Sequence, residues 1–173
     1  MKQVLFLIAL AFCIQMQAQT VKSKALKLKY TTPAGWAVSE AGGKDSWDQS
    51  GNDLCPCSSL HFTKDTKDGK LNVLIYPTSV NGLDSTKRNM VGKQKFVDVE
   101  KYDKTRNKHF SFEKRRSNFT HIKTNAKSYE VIRYKAKVDD HFYLIYTWQE
   151  NFRMMSPDIE KELFEVINAL EPL

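Results

Sequence analysis

The chain has 173 residues, 41% of them hydrophobic, and a formal net charge of +7. That length suits one domain with a real core. Past the N-terminus no apolar run approaches the roughly 20 residues of a membrane helix, which argues against an integral membrane protein. No repeat with a period of about 20–50 residues and no low-complexity segment is visible.

Residues 1–18 have the layout of a signal peptide. Lys2 supplies the positive end, Val4 to Ile14 is an unbroken apolar run of eleven residues, and Met16-Gln17-Ala18 offers a small residue for cleavage. A buried N-terminal element is the plainer alternative, but the polar exit Gln15–Thr20 does not suit one. Lipid anchoring through Cys13 is a second alternative. A lipobox wants a small residue before its cysteine, whereas Phe12 is large and Cys13 lies inside the apolar run. The expectation is a protein secreted or periplasmic after cleavage, with lipoprotein anchoring second. Because the leader carries one Lys and no acid, residues 19–173 keep a charge of +6. That charge is uneven: residues 101–135 sum to +8 and residues 136–173 to −5, a dipolar surface that suits solubility or an anionic partner.

Residues 19–25 read as an N-terminal extension ahead of a single domain spanning 26–173. Residues 26–31, LKLKYT, alternate apolar and basic as a half-buried strand does. Thr32-Pro33-Ala34-Gly35 is a turn, and Trp36-Ala37-Val38 resumes the strand pattern. Residues 39–57 form a long polar loop, a type of segment that is functional or mobile. Residues 58–64 and 70–76 make a hairpin around Asp65–Gly69, where Asp-Gly is a strong turn signal. Residues 83–95 are a helix candidate, with Leu83, Lys87, Met90 and Val91 roughly on one face. Residues 96–138 look like further strands. The best is Glu130 to Val138, with Ile132, Tyr134, Ala136 and Val138 toward a core. Asp139-Asp140 turns it into a strand from Phe142 to Trp148 that is aromatic on one face. The clearest element is the C-terminal helix. Ser156 is a good cap, Pro157 suits the first position, and Asp158 and Glu160 favour the positive end. Ile159, Leu163, Phe164, Ile167 and Leu170 form its apolar stripe. The expected class is α+β, an antiparallel sheet flanked by helices.

In order and spacing these pieces resemble the PsbP family and its bacterial relatives. The resemblance is carried by Tyr30, Pro33, Gly35 and Trp36 near the start and by Phe164, Ile167 and Leu170 at the end, and it covers about residues 26–171. It implies an α/β/α sandwich and a non-enzymatic binding or assembly role outside the cytoplasm. It carries over no site residue.

Cys55-Pro56-Cys57 holds the two cysteines left after cleavage. In an oxidising compartment a Cys-x-Cys disulfide comes first, though its small ring is strained. Free or intermolecular thiols, and a soft metal site with His61 as third ligand, stay open. Structural zinc normally takes four ligands at wider spacing, so no metal or other cofactor is expected. His61, His109, His121 and His141 belong to no His-Glu-x-x-His, and no Gly-x-Ser-x-Gly, Ser-x-x-Lys or phosphate loop occurs. Asp139-Asp140-His141 reads as a polar hairpin turn. Asn118-Phe119-Thr120 is a glycosylation sequon, meaningful only in a eukaryotic source.

The stretch from residue 104 to 116 interleaves Lys104, Arg106, Lys108, Lys114, Arg115 and Arg116 with Phe110 and Phe112. The composition suits contact with an anion. The plainer reading is a strand with phenylalanines in the core and a solvated opposite face. These six bases are the candidate ligand-binding residues. The expected function is non-catalytic binding in the cell envelope, to a protein or an anionic component rather than nucleic acid. A small envelope hydrolase with a site assembled from distant residues, or an immunity- or inhibitor-type protein, is the alternative.

Overall fold

In the computed structural model the described residues are 20–24, 26–41, 59–78, 90–91, 94–100, 103–121, 123–138, 141–150 and 154–173. The signal-peptide and lipobox readings on residues 1–18 lie outside them, as do residues 42–57 of the polar loop.

Alternation and turn chemistry set the strands. β4 (Ser59–Thr66) and β5 (Gly69–Thr78) form the expected hairpin, with Thr66 opposite Gly69. Gly69 has φ +128°, and a Cβ there would meet the Glu150 carbonyl oxygen at 2.6 Å, so glycine is required. β10 (Lys127–Val138) and β11 (His141–Gln149) pair antiparallel with Val138 opposite His141. Ile132, Tyr134 and Ala136 are buried on one face of β10, as their alternation requires.

These strands belong to a nine-stranded antiparallel sheet. Along it run β3 (Ala37–Ala41), β4, β5, β11, β10, β9 (Ser111–His121), β7 (Gln94–Asp98) and β6 (Met90–Val91). β8 (Asp103–Arg106) pairs the first residues of β9, beyond the end of β7. A second sheet of three strands orders β1 (Thr20–Ser23), β2 (Leu28–Thr31) and β12 (Leu170–Pro172). The stretch expected as an extension thus contributes β1, with Val21 opposite Tyr30.

Helix α1 (Pro157–Asn168) is capped by Ser156, whose hydroxyl accepts from the Ile159 amide at 3.3 Å. Leu163, Val166 and Ile167 are buried, and together with Leu28, Tyr30 and Leu170 of the small sheet they cover one face of the large sheet. Leu170 reaches this core from β12 rather than from the helix. The opposite face carries its own cluster of Tyr76, Phe96, Phe119, Val131, Leu144 and Tyr146. Among the described residues no helix is long and apolar enough to cross a membrane.

The helix-flanked α/β/α sandwich is not what forms. The described residues are mostly strand, and α1 is the one helix among them. The cause is visible in the candidate helix 83–95. Residues 83–89 lie outside the described set, but 90–91 and 94–98 are strands β6 and β7. Phe96 and Val97 favour a strand, and a helical stripe that needed Lys87 among Leu83, Met90 and Val91 was not apolar.

Candidate functional site

Strand alternation divides the basic stretch between two faces. Lys114 and Arg116 lie on the α1 side, opposite Tyr134 and Ile132. Lys114 pairs with Glu160 of α1. Arg116 pairs with Glu160, with Glu130 at 2.9 Å and with Glu100 at 3.0 Å. Glu130 is buried and also accepts from the Met155 amide at 2.8 Å, which fixes the approach to the helix. Burial acts against the charge on both partners, but the pairing wins. Glu160 is held below the ordinary carboxyl range by Lys114 and Arg116, and Arg116 is pushed above its usual value by Glu160, Glu130 and Glu100.

Arg115 points to the other face and bonds Asp98 at 3.1 Å. Beside it the buried Arg133 pairs with Asp98, donates to the Ser117 hydroxyl at 3.1 Å and lies 4.8 Å from the Phe96 ring centroid. Burial would raise the Asp98 carboxyl. The Ser117 hydrogen bond and the charges of Arg133 and Arg115 outweigh it and hold that carboxyl low. All three bases of the 114–116 run are therefore neutralised within the fold.

Lys104 and Arg106 have a different setting. Both are exposed on β8 and line an open cleft of about 610 Å³ on the face opposite α1. Register builds the cleft in two rows. In the inner row Lys104 is opposite Glu113, and Glu113 is opposite Lys135. In the outer row Arg106 is opposite Ser111 on one side, and Lys137 is opposite Phe142 on the other. Lys135 is buried, holds Glu113 at 2.5 Å and lies 5.4 Å from the Phe142 ring centroid. The lining carries four cations against the single carboxylate of Glu113. Among the described residues the side chains of Lys104, Arg106 and Lys137 make no ion pair or hydrogen bond.

Asn107 fixes this edge. Its side-chain oxygen accepts from the amides of His109 (2.8 Å) and Phe110 (2.6 Å), closing the turn between β8 and β9. Its side-chain nitrogen donates to the carbonyls of Ile167 (2.8 Å) and Leu170 (3.1 Å), tying that turn to the end of α1. Lys108 is exposed in the turn and does not line the cleft. Phe110 and Phe112 are core residues, in contact with Tyr143 and Tyr134.

Lys135, Lys137, Glu113, Ser111 and Phe142 were not singled out from sequence. The lysines are the odd positions of a strand whose even positions read as core, so their face was legible. Their neighbours on β8 and β9 were not. Cys55 and Cys57 lie outside the described residues, as do Asp139 and Asp140. His61 is stacked on Trp148 at 5.9 Å and hydrogen-bonded to Asn72 at 3.0 Å. Among the described residues no group of three or more His, Cys, Asp or Glu is placed to hold a metal ion.

By structural likeness the fold is PsbP-like, without the α/β/α layering expected from sequence. The chain is similar to the cyanobacterial PsbP (CyanoP) of Synechocystis sp. PCC 6803, solved in solution, with a TM-score of 0.55 over 93% of this chain and 96% of that one. The two are 11% identical, so the likeness is one of fold. No family model and no curated protein sequence matches the chain.

Proposed function

We propose that the protein is an exported, non-catalytic binding or assembly domain of the cell envelope that takes hold of an anionic group on its partner through the β8–β10 cleft. The observation that carries this reading is the contrast among its cations. Lys114, Arg115 and Arg116 are matched by acids of the same chain. Lys104, Arg106 and Lys137 share one concavity without a partner among the described residues. A concavity with excess positive charge concentrates anions and steers them to itself. The layout of residues 1–18 supports export, and the missing catalytic motifs support binding without turnover.

The test is binding of the purified protein to polyglutamate at low and at moderate salt. Affinity should fall steeply as salt rises. It should be lost when Lys104, Arg106 and Lys137 are all changed to Glu, with the melting curve retained because exposed charges seldom hold a domain together. Salt-independent binding that survives the triple reversal would remove the cleft from the account. Hydrolysis of an ester, peptide, glycan or phosphate by the pure protein would defeat the non-catalytic part.

A further inference from the structure

We infer that the outer row of the cleft is a seat for a phosphate monoester, clamped between Arg106 and Lys137 over Ser111, with its organic group against Phe142. The inference rests on the reading of the cleft as the binding site and adds the class of ligand.

The geometry comes from the register. β9 runs between β8 and β10. Adjacent strands lie about 4.8 Å apart, so Arg106 and Lys137 leave the backbone about 10 Å from one another, astride Ser111. Lys137 is level with Ser111 because it follows Ala136, the partner of Phe112. Two long flexible cations at that separation close on one small group between them. A phosphate monoester carries close to two negative charges near neutral pH, which match the two cations. Its three terminal oxygens use all three donors: the planar fork of Arg106, the ammonium of Lys137 and the Ser111 hydroxyl. A carboxylate brings one negative charge against two cations and leaves one of them unmatched. Phe142, opposite Lys137 on β11, gives the fourth oxygen's substituent an apolar wall.

Glu113 decides which phosphates enter. It sits in the inner row between Lys104 and Lys135 and is held by Lys135. A second phosphate extending inward from the seat meets this carboxylate with Lys104 to offset it, Lys135 being already held by Glu113. The cleft therefore favours a monoester with an apolar or aromatic substituent over pyrophosphate.

The experiment is titration calorimetry of the purified protein with phenyl phosphate, inorganic phosphate, pyrophosphate and benzoate, and co-sedimentation with phosphatidylcholine vesicles containing phosphatidic acid. Phenyl phosphate should bind more tightly than the other three. Arg106→Gln and Lys137→Gln should each weaken it about tenfold, the size of one charge-assisted contact. Phe142→Leu should bring phenyl phosphate down to the affinity of inorganic phosphate and leave the latter unchanged. Glu113→Gln should tighten pyrophosphate more than phenyl phosphate. Vesicle binding lost in Arg106→Gln would mark a lipid as the source of the monoester. Binding of phenyl phosphate without vesicle binding would mark a soluble ester, and both support the seat. Benzoate binding as tightly as phenyl phosphate, with the same dependence on Arg106 and Lys137, would overturn it. So would cleft-dependent polyglutamate binding with no response to phenyl phosphate, and this would leave the broader reading standing. Failure of polyglutamate and phenyl phosphate alike would remove both.

Discussion

Replacing Arg133 with Met keeps most of the volume of the side-chain stem and removes the guanidinium. The side chain is 1% exposed, and the change deletes an ion pair with Asp98, a hydrogen bond to Ser117 and a cation–ring contact with Phe96. Breaking a fully buried pair costs about 3–5 kcal/mol, against about 1 kcal/mol or less at the surface. Asp98 is 32% exposed and keeps Arg115 at 3.1 Å and Ser117 at 2.7 Å, so its charge is not stranded. The cost should therefore fall to about 2–3 kcal/mol, which lowers the melting temperature by about 4–12 °C in a chain of this size. Thermal melts of Arg133→Met, Asp98→Asn and the double variant measure it. The double variant should lose at least about 1 kcal/mol less than the sum of the singles, because the partners act together. Acid supplies a second readout. Asp98 has its carboxyl held low in the fold, so its contribution is complete above the unfolded value of about 3.9 and is lost as pH falls through the folded one. Asp98→Asn should remove part of the wild type's stability loss between about pH 5 and pH 2. Additive losses, or an Arg133→Met variant within about 0.5 kcal/mol of wild type, would refute the reasoning.

Leu163→Ala should cost about 2–5 kcal/mol by calorimetry, since the side chain is fully buried between α1 and the sheet, and an unchanged melt would make the helix peripheral. Asn107→Ala should weaken cleft-dependent anion binding without touching the ligand, because it loosens the β8 edge at four hydrogen bonds; full affinity would show that Lys104 and Arg106 need no such support. For Cys55 and Cys57, alkylation of the purified protein without reductant should label neither thiol. Quantitative labelling of both would reject the disulfide, and stoichiometric zinc or copper would favour a metal instead.

Much of the strand framework was legible because period-two alternation is local. Ile132, Tyr134 and Ala136 were readable as one buried face before any partner was known. The Asp-Gly turn and the Ser156-Pro157 cap were likewise spelled out within a few residues. What could not be read locally was pairing. β12 comprises three residues, and only its pairing with β2 makes Leu170-Glu171-Pro172 a strand. At the end of the helix expected over 83–95, residues 90–91 and 94–95 are strand for the same reason: β7 is fixed by Phe96 packing on Phe119, 4.9 Å between ring centroids and far off in sequence. The candidate site shows both sides. Lys104 and Arg106 were visible as bases in a basic run, yet nothing in that run separated them from Lys114 and Arg116. The separation comes from Glu160 of α1 and Glu130 of β10, which reach one set and not the other.

The proposal that the β8–β10 cleft is where the protein meets its partner is tested most directly by mapping amide shifts in the NMR spectrum as polyglutamate is added. The account predicts saturable shifts at Lys104, Arg106, Ser111, Lys137 and Phe142, fading as salt is raised, with the amides around Lys114 and Arg116 still. Shifts centred instead on α1 or on the Tyr76–Tyr146 aromatic face, with the cleft silent, would contradict it.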